Sequence, residues 1–222
     1  GKDALDEENV EMVRHGASAN LSRHIENMSR FGPDVIVSIN RFPTDSDGEI
    51  SAIMEIAKDA GAADVALYEG HSKGGEGAVE LANAVSKAVQ RHMAAGRPFN
   101  PLFEGNAPVI EKIENIARSI YGASGISIKP RAKKQLDKIN EWGYGNLPVC
   151  MAKTQYSFSH DPAQYGAPTD FTLPVREFRL NAGAGFIVAV CGDMMTMPGL
   201  PKIPAAEGMD MDKDGNLTGI FS

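Results

Sequence analysis

Two short segments combine polar side chains with features that could hold a ligand, and each directly follows an apolar run. The first covers residues 40–45 and consists of Asn40, Arg41, Phe42, Pro43, Thr44 and Asp45. An exposed phenylalanine beside a proline is a flat apolar surface on which an aromatic heterocycle can stack. Asparagine, proline, threonine and aspartate also favour turns, so an ordinary surface turn explains this segment, taken alone, equally well.

The second segment, residues 69–77, is rich in glycine and leads into a helical pattern. Its candidate ligand-binding residues are His71, Lys73, Gly74 and Gly75. Glycines let the backbone approach a ligand closely, and the N-terminus of a following helix favours an anion. The segment is not a nucleotide phosphate loop, because the pattern Gly-x-x-x-x-Gly-Lys-Ser/Thr occurs nowhere in the sequence. Glycine caps and turns are the alternative explanation of such a cluster.

No metal site is predicted. Asp210, Asp212, Asp214 and Gly215 match the first half of a calcium-binding loop, but its twelfth position is Phe221 instead of glutamate. A hairpin turn at Asp214-Gly215 is the favoured interpretation. The histidines show neither an HExxH motif nor a paired ligand spacing.

The sequence leaves the roles of Lys153 and Thr154, in the second half, open. They follow a short apolar run and could touch a ligand, but a structural ion pair and a turn hydroxyl explain them as well.

The two cysteines, Cys150 and Cys191, lie outside any Cys-x-x-Cys spacing. We predict both to be reduced and to serve as small core residues.

Helix and strand patterns alternate along the first half of the sequence. Apolar residues spaced three or four apart predict a helix from Val10 to Met28. Two apolar runs, at residues 35–39 and 65–68, predict buried parallel strands. This alternation predicts a parallel α/β sheet with right-handed crossovers, in which ligands gather at the carboxyl ends of the strands.

Two further helices complete the α/β segment. Ser46 and Glu49 have the spacing of a capping box, which predicts the start of a helix between the two strands. A third helix is predicted after Gly77, and we expect its apolar residues to point inward. Those residues are Val79, Ala82, Val85 and Val89.

A change of composition near residue 100 predicts two domains. Residues 97–105, rich in proline and phenylalanine, interrupt the alternating pattern. We therefore place an α/β segment at residues 1–103 and a smaller α+β domain at residues 104–222. Helices are predicted in the second domain at 110–120 and 130–142, and strands at 148–152, 171–180 and 186–191.

The composition is that of an ordinary globular protein. Of 222 residues, 42% are hydrophobic and 23% charged, which excludes a disordered chain. The net charge of −7 and the lack of a basic cluster argue against a nucleic-acid or membrane-surface partner. No apolar run has membrane-spanning length and no secretory signal is visible, so a cytoplasmic location is expected. Because the sequence begins without methionine, we expect it to be a piece of a longer protein.

Five segments, taken together and in order, resemble one family. They are V-I-V-S-I-N-R-F-P-T-D (35–45), K-G-G-E-G (73–77), N-L-P-V-C-M-A-K-T-Q (146–155), A-G-A-G-F (182–186) and T-M-P-G-L-P (196–201). The sequence resembles the C-terminal part of formate–tetrahydrofolate ligase, also called 10-formyltetrahydrofolate synthetase, along its whole length. The resemblance implies that the α/β segment belongs to a larger P-loop-type nucleoside triphosphate hydrolase-like fold.

The resemblance also implies a reaction in two steps. ATP phosphorylates formate to formyl phosphate, and N10 of tetrahydrofolate then attacks it to give 10-formyltetrahydrofolate, ADP and phosphate. The family's N-terminal part holds the phosphate loop and magnesium, so we expect these 222 residues to be inactive alone. A homotetramer is typical of the family. The alternative is a non-catalytic module that binds folate or assembles with another subunit.

By resemblance, the residues of the chain form the folate-facing wall of the site, and none is assigned as catalytic. Phe42 and Pro43 correspond to the family's pterin-stacking residues, and Leu67 corresponds to a further apolar contact. The implied neighbours of the pocket are Gly74 and Gly75, and those on the nucleotide or substrate side are Asn40, Arg41, Asp45 and Lys73. His71 stands where the family commonly has tryptophan, so we predict that it is a weaker stacking partner across the pterin from Phe42.

Overall fold

The computed structural model describes residues 7–192, 203–213, 215 and 217–219. In the first half of these residues, helices alternate with strands. The elements are α1 (Val10–Ser29), β1 (Ile36–Asn40), α2 (Asp47–Asp59), β2 (Asp64–Tyr68), α3 (Gly70–Lys73) and α4 (Val79–Ala95). Strands β1 and β2 are parallel, with Ile36 opposite Asp64 and Asn40 opposite Tyr68. The predicted α/β class with parallel strands is therefore confirmed.

Polar caps fix where α1 and α2 begin. The Asn9 side chain accepts a hydrogen bond from the backbone N–H of Met12 at 3.0 Å. Ser46 and Glu49 form the predicted capping box at the start of α2. Glu49 also accepts a hydrogen bond from the backbone N–H of Asn9 at 2.8 Å. The same carboxylate thus joins the starts of both helices.

One apolar core lies between α1, α2 and one face of the two-stranded sheet. α1 packs along α2, and every second residue of each strand belongs to this core or packs against it. Its buried members are Ile25, Ile39, Ile50, Ala57 and Val65.

Residues 70–78 form helical turns, whereas the sequence predicted a glycine-rich loop over 69–77. Helix α3 passes into a 3₁₀ helix from Gly74 to Ala78. The backbone N–H of Glu69 donates to the Gly77 carbonyl at 3.0 Å and closes the segment on itself. A Cβ atom on Gly77 would lie 2.4 Å from the Glu69 carbonyl oxygen, so only glycine fits there. This closing contact overrides the low helical propensity of glycine, on which the prediction rested.

The prediction that the apolar residues of α4 point inward is wrong. The residues that the sequence placed inside are exposed, namely Val79, Ala82, Val85 and Val89. The buried residues of α4 are Ala84 and Ala88, and the helix packs on β2. A helix with apolar residues on more than one side has no single inward direction, so periodicity alone could not select it.

The described residues of the second half form two α-helices, a 3₁₀ helix at Ala205–Gly208 and three groups of paired strands. In chain order the elements are α5 (Val109–Ser119), β3 (Gly125–Ile128), α6 (Pro130–Glu141), β4 (Val149–Ala152), β5 (Thr172–Val175), β6 (Glu177–Asn181), β7 (Phe186–Val190), β8 (Asp210–Met211) and β9 (Leu217–Thr218). β3 pairs with β5 in parallel, β4 pairs with β7 in parallel, and β6 pairs with β7 antiparallel. Both helices were predicted from the sequence, whereas β3 was not.

The single strand predicted at residues 171–180 is two strands in two different sheets. β5 pairs with β3, and β6 pairs with β7. Between them, the backbone N–H of Arg176 donates to the Val190 carbonyl at 2.8 Å. The run is continuous in sequence, so only its pairing partners reveal the division.

A lysine lies inside the larger core of the second half. This core is formed around α5, α6 and the strands β5 to β7, and it includes Ile113, Leu173 and Ile187. The ammonium group of Lys112, a residue with 1% of its surface exposed, donates to the carbonyls of Gly105 at 2.8 Å, Asn146 at 2.6 Å and Leu147 at 3.2 Å. Burial lowers the pKa of Lys112.

The described residues after 202 belong to a second unit, separate from the one that ends at Gly192. β8 and β9 pair antiparallel in this second unit. The backbone N–H of Gly215 donates to the Asp212 carbonyl at 3.1 Å, and its φ of +84° suits glycine. The antiparallel pairing of β8 with β9 fits the predicted hairpin, whereas Asp214, one of the two residues assigned to its turn, and Phe221 lie outside the described residues. The domain boundary at residue 103 stays a prediction.

The sequence also led to predictions about the burial of the two cysteines and about membrane-spanning segments. Cys191 is buried as predicted, whereas Cys150 is exposed on β4 and is not a core residue. None of the helices in the described part of the chain combines the length and the apolar character needed to cross a membrane.

Candidate functional site

Asp45 holds the loop after β1 in a closed turn. The backbone N–H of Phe42 donates to the Asp45 carboxylate at 2.8 Å, and the backbone N–H of Asp45 donates to the Phe42 carbonyl at 3.0 Å. The guanidinium group of Arg41 binds the carboxylate of Asp47 at 2.8 Å. The Phe42 side chain remains 48% exposed, so its ring is free to contact a ligand.

The two candidate segments leave neighbouring strands at the same edge of the sheet. Asn40 and Tyr68 are paired at the carboxyl ends of β1 and β2. One residue further, the backbone N–H of Arg41 donates to the Tyr68 carbonyl at 3.0 Å. This edge is where ligands of open parallel α/β sheets bind.

The segment after β2 is stabilised by its own charges. The ammonium group of Lys73 binds the Glu69 carboxylate at 2.6 Å across α3. His71 is exposed on α3, and Gly74 and Gly75 are exposed after it. A Cβ atom on either glycine would meet nothing within 4 Å, so the space beside them is open.

Leu67 has a different environment from the exposed candidates. It is half-buried and packs against the core that includes Ile39 and Val65. The structure therefore places Leu67 largely within the core, whereas Phe42 and His71 are exposed on the surface.

A cavity of about 470 Å³ lies beside the same edge, between α1, α2 and β1. Asn40 and Asp45 line it, together with Glu7, Asn9 and Glu49 and an apolar floor. The described residues around it include neither Phe42 nor His71. No pattern in the sequence indicates that α1 contributes to this cavity, because only the packing of α1 on α2 brings Asn9 to this edge. An apolar floor with carboxylates at its rim suits a group that carries N–H donors.

The side chains of Lys153 and Thr154 stabilise the loop in which they lie by bonding to its backbone. The ammonium group of Lys153 donates to the carbonyls of Thr154, at 2.9 Å, and Ser157, and it lies 4.8 Å from the ring centre of Tyr121. The Thr154 hydroxyl accepts a hydrogen bond from the backbone N–H of Tyr156 at 3.3 Å. Burial lowers the pKa of Lys153. A cavity of about 290 Å³ adjoins these residues, but their polar groups already have partners in the protein.

The described residues contain no group of three or more histidine, cysteine, aspartate or glutamate side chains placed to hold a metal ion. The candidate site is therefore a sheet edge with one exposed aromatic ring, one exposed imidazole and several carboxylates. It can bind a flat molecule by stacking and by hydrogen bonds.

Comparison with known proteins links the chain to one family. The family model described as formate–tetrahydrofolate ligase matches residues 1–221. The formate–tetrahydrofolate ligase of Maricaulis maris (strain MCS10) is 49% identical over 220 residues, which cover 99% of this chain and 39% of that protein. The protein of the same name from Paracoccus denitrificans (strain Pd 1222) is 48% identical over 217 residues, which cover 98% of this chain and 38% of that protein. The chain thus spans about two fifths of the length of these relatives.

Proposed function

The chain belongs to the formate–tetrahydrofolate ligase family, and we propose that it is the C-terminal part of an ATP-dependent ligase that supplies the folate-facing wall of the active site. The complete enzyme would use ATP to convert formate to formyl phosphate. N10 of tetrahydrofolate would then attack the formyl carbon, and phosphate would leave.

The single observation that carries this proposal is the junction of the two candidate segments. The hydrogen bond from Arg41 to Tyr68 ties the loop with Phe42 to the end of β2, from which the turn with His71 begins. A pterin ring is flat and aromatic, and the exposed Phe42 ring offers it a stacking surface. The same edge also carries polar groups that can bind the N–H donors of the ring.

The proposed roles follow the resemblance residue by residue. Phe42 and Pro43 stack on the pterin, and His71 faces Phe42 in place of a larger indole. Leu67 contributes an apolar contact through the exposed part of its side chain, because the rest of the side chain packs against the core. The remaining proposed neighbours are Gly74 and Gly75 at the border of the pocket, and Asn40, Arg41, Asp45 and Lys73 on the nucleotide or substrate side.

The phosphoryl-transfer step needs groups that the described residues do not offer. It requires a phosphate cradle and magnesium around the transferring phosphoryl group. We assign both to the N-terminal part of the complete enzyme. The proposal includes a larger P-loop-type fold, a homotetrameric enzyme and a cytoplasmic location.

The folate role is tested with Phe42→Ala in the complete ligase that contains this segment. We expect the tetrahydrofolate KM to rise by about 5- to 150-fold, which corresponds to about 1–3 kcal/mol of lost stacking and apolar burial. The KM values of ATP and formate should stay unchanged. Tyr165→Ala is the matched control, because Tyr165 is an exposed aromatic residue far along the chain from either candidate segment. An unchanged tetrahydrofolate KM would mean that Phe42 is an ordinary loop residue.

The proposed division of labour is tested with the 222-residue chain by itself. We expect no formate-dependent release of ADP in the presence of magnesium and tetrahydrofolate, because the phosphoryl groups lack their cradle. Turnover at the rate of the complete ligase would overturn that division.

A further inference from the structure

The side chain of Tyr68, at the carboxyl end of β2, lies directly against the first residue of α3. A Cβ atom on Gly70 would lie 2.2 Å from the Tyr68 hydroxyl oxygen and 2.4 Å from Cζ, the ring carbon that carries it. Carbon atoms in van der Waals contact are about 3.5–4.0 Å apart. The phenol therefore occupies the space that any side chain at position 70 would need.

Space, and not backbone conformation, restricts residue 70 to glycine. The φ of Gly70 lies outside the left-handed region, whereas that of Gly74, at the other end of α3, is +57°. Alanine is a better helix former than glycine, so alanine would be favoured at position 70 if the phenol were absent. Gly70 and Tyr68 thus fit each other as a pair.

The backbone around Gly70 is held by its own hydrogen bonds. The Glu69 carbonyl accepts a hydrogen bond from the backbone N–H of Lys73 at 2.9 Å, and the backbone N–H of Glu69 donates to the Gly77 carbonyl at 3.0 Å. The phenol is the end of a flexible side chain and is half-buried. A side chain added at position 70 would therefore displace the Tyr68 ring and leave the turn in place.

Tyr68 contacts both candidate segments of the folate site. Its carbonyl accepts a hydrogen bond from the backbone N–H of Arg41 at 3.0 Å, and Phe42 follows Arg41. Its ring contacts Gly70, and His71 follows Gly70. One residue thus contacts the immediate neighbours of the two side chains that are proposed to face each other across the pterin.

We propose that Tyr68 is a positioning residue that sets the distance between Phe42 and His71. This inference rests on the proposed folate role of these two residues and adds a residue that acts through His71. The ring is a spacer against the first turn of α3, and without it that turn, with His71, is free to shift into the vacated space. The ring carbons also lie against Gly70, so the hydroxyl group is not required.

The test measures the tetrahydrofolate KM of the complete ligase. We expect Tyr68→Ala to raise this KM by about 2- to 10-fold, the range expected when the contact of one aromatic pair is lost. Tyr68→Phe keeps the ring and should keep nearly the wild-type value. The KM values of ATP and formate, and kcat, should stay unchanged in both variants. Tyr165→Ala, which removes an exposed tyrosine, is the matched control.

Gly70→Ala is the second variant, and it tests the proposal even if Tyr68→Ala fails to fold. It should raise the tetrahydrofolate KM within the same range, because the added methyl group displaces the phenol. In the double variant the methyl group meets no ring, so the KM should not exceed that of Tyr68→Ala alone, whereas independent effects would multiply. Gly16→Ala, which adds a methyl group to a glycine of α1 with open space around it, is the matched control.

A His71→Ala background shows whether Tyr68 acts through His71. Tyr68→Ala should raise the KM no further in that background, because the residue that it positions is gone. An equal rise in both backgrounds would overturn the proposal. If Phe42→Ala raises the KM but Tyr68→Ala and Gly70→Ala do not, only the positioning role is wrong. If none of the three variants changes the KM, the folate role itself is wrong, and the positioning role with it.

Discussion

The carboxylate of Asp45 accepts a hydrogen bond from the backbone N–H of Phe42, and the Phe42 carbonyl accepts one from the backbone N–H of Asp45. This reciprocal pair closes the loop after β1 and determines where the Phe42 ring stands relative to the sheet edge. Asp45 therefore serves as a positioning residue for Phe42 in the proposed folate site.

We predict that Asp45→Ala raises the tetrahydrofolate KM of the complete ligase. Loss of one charge-assisted hydrogen bond costs about 1–2 kcal/mol, and the loop that carries Phe42 then samples other conformations. Asp45→Asn keeps a carbonyl oxygen as acceptor and should restore most of the affinity. The KM values of tetrahydrofolate, ATP and formate, with kcat, are the measurements. If Phe42→Ala weakens folate binding but Asp45→Ala does not, Phe42 acts without help from Asp45.

We predict that His71→Trp tightens tetrahydrofolate binding. An indole offers a larger stacking surface than an imidazole, and the gain expected of a better aromatic pair is about 0.5–1.5 kcal/mol. The Kd of tetrahydrofolate is compared with that of the wild type in the complete ligase. Ser72→Trp, which places the same ring on the next exposed position, is the control and should not tighten binding. Unchanged or weaker binding by His71→Trp would show that residue 71 points away from the pterin.

We predict that Lys112→Met destabilises the protein. The substitution removes the cost of burying a charge, but it leaves three carbonyls without their donor, and this second effect is larger. The free energy of unfolding should fall by about 2 kcal/mol or more in urea denaturation. Lys133→Met on the exposed side of α6 is the control. Equal stabilities of the two variants would mean that the three carbonyls do not depend on the ammonium group.

We predict that Asp34 contributes to stability at neutral pH and loses this contribution in acid. Hydrogen bonds from Arg97 and Arg91 lower the pKa of Asp34 below its ordinary value of 3.8. The unfolded chain therefore takes up this proton first as the pH falls. The contribution is present above about pH 4 and disappears as the pH falls through the lower pKa of the folded protein.

The measurement is urea denaturation of wild type and Asp34→Asn between neutral and acidic pH. The difference in stability should be largest near neutrality and should shrink below about pH 4. Asp137→Asn, which removes an exposed carboxylate from α6, is the control for the loss of one acidic group. A difference that stays constant with pH would rule out the ion pairs as its cause.

The sequence by itself determined the elements whose signals are local. The capping box of Ser46 and Glu49 joins residues three apart, and the two strands and three longer helices of the first half follow from apolar spacing within short windows. Pro130 at the start of α6 is a signal of the same kind. Family membership also came from the sequence, because five ordered motifs are a linear pattern. Phe42 was exposed as expected, since it lies in a turn that the sequence identified.

Only the tertiary structure decided which surfaces meet. It turned the valines of α4 outward, and it divided residues 171–180 between two sheets. It also buried Lys112, whose ammonium group donates to three carbonyls, two of them from residues more than thirty positions away. These outcomes depend on contacts between elements that are distant in sequence. The spacing of apolar residues indicates how much of a helix surface can be buried. Which side of the helix is buried depends on the neighbouring elements that pack against it.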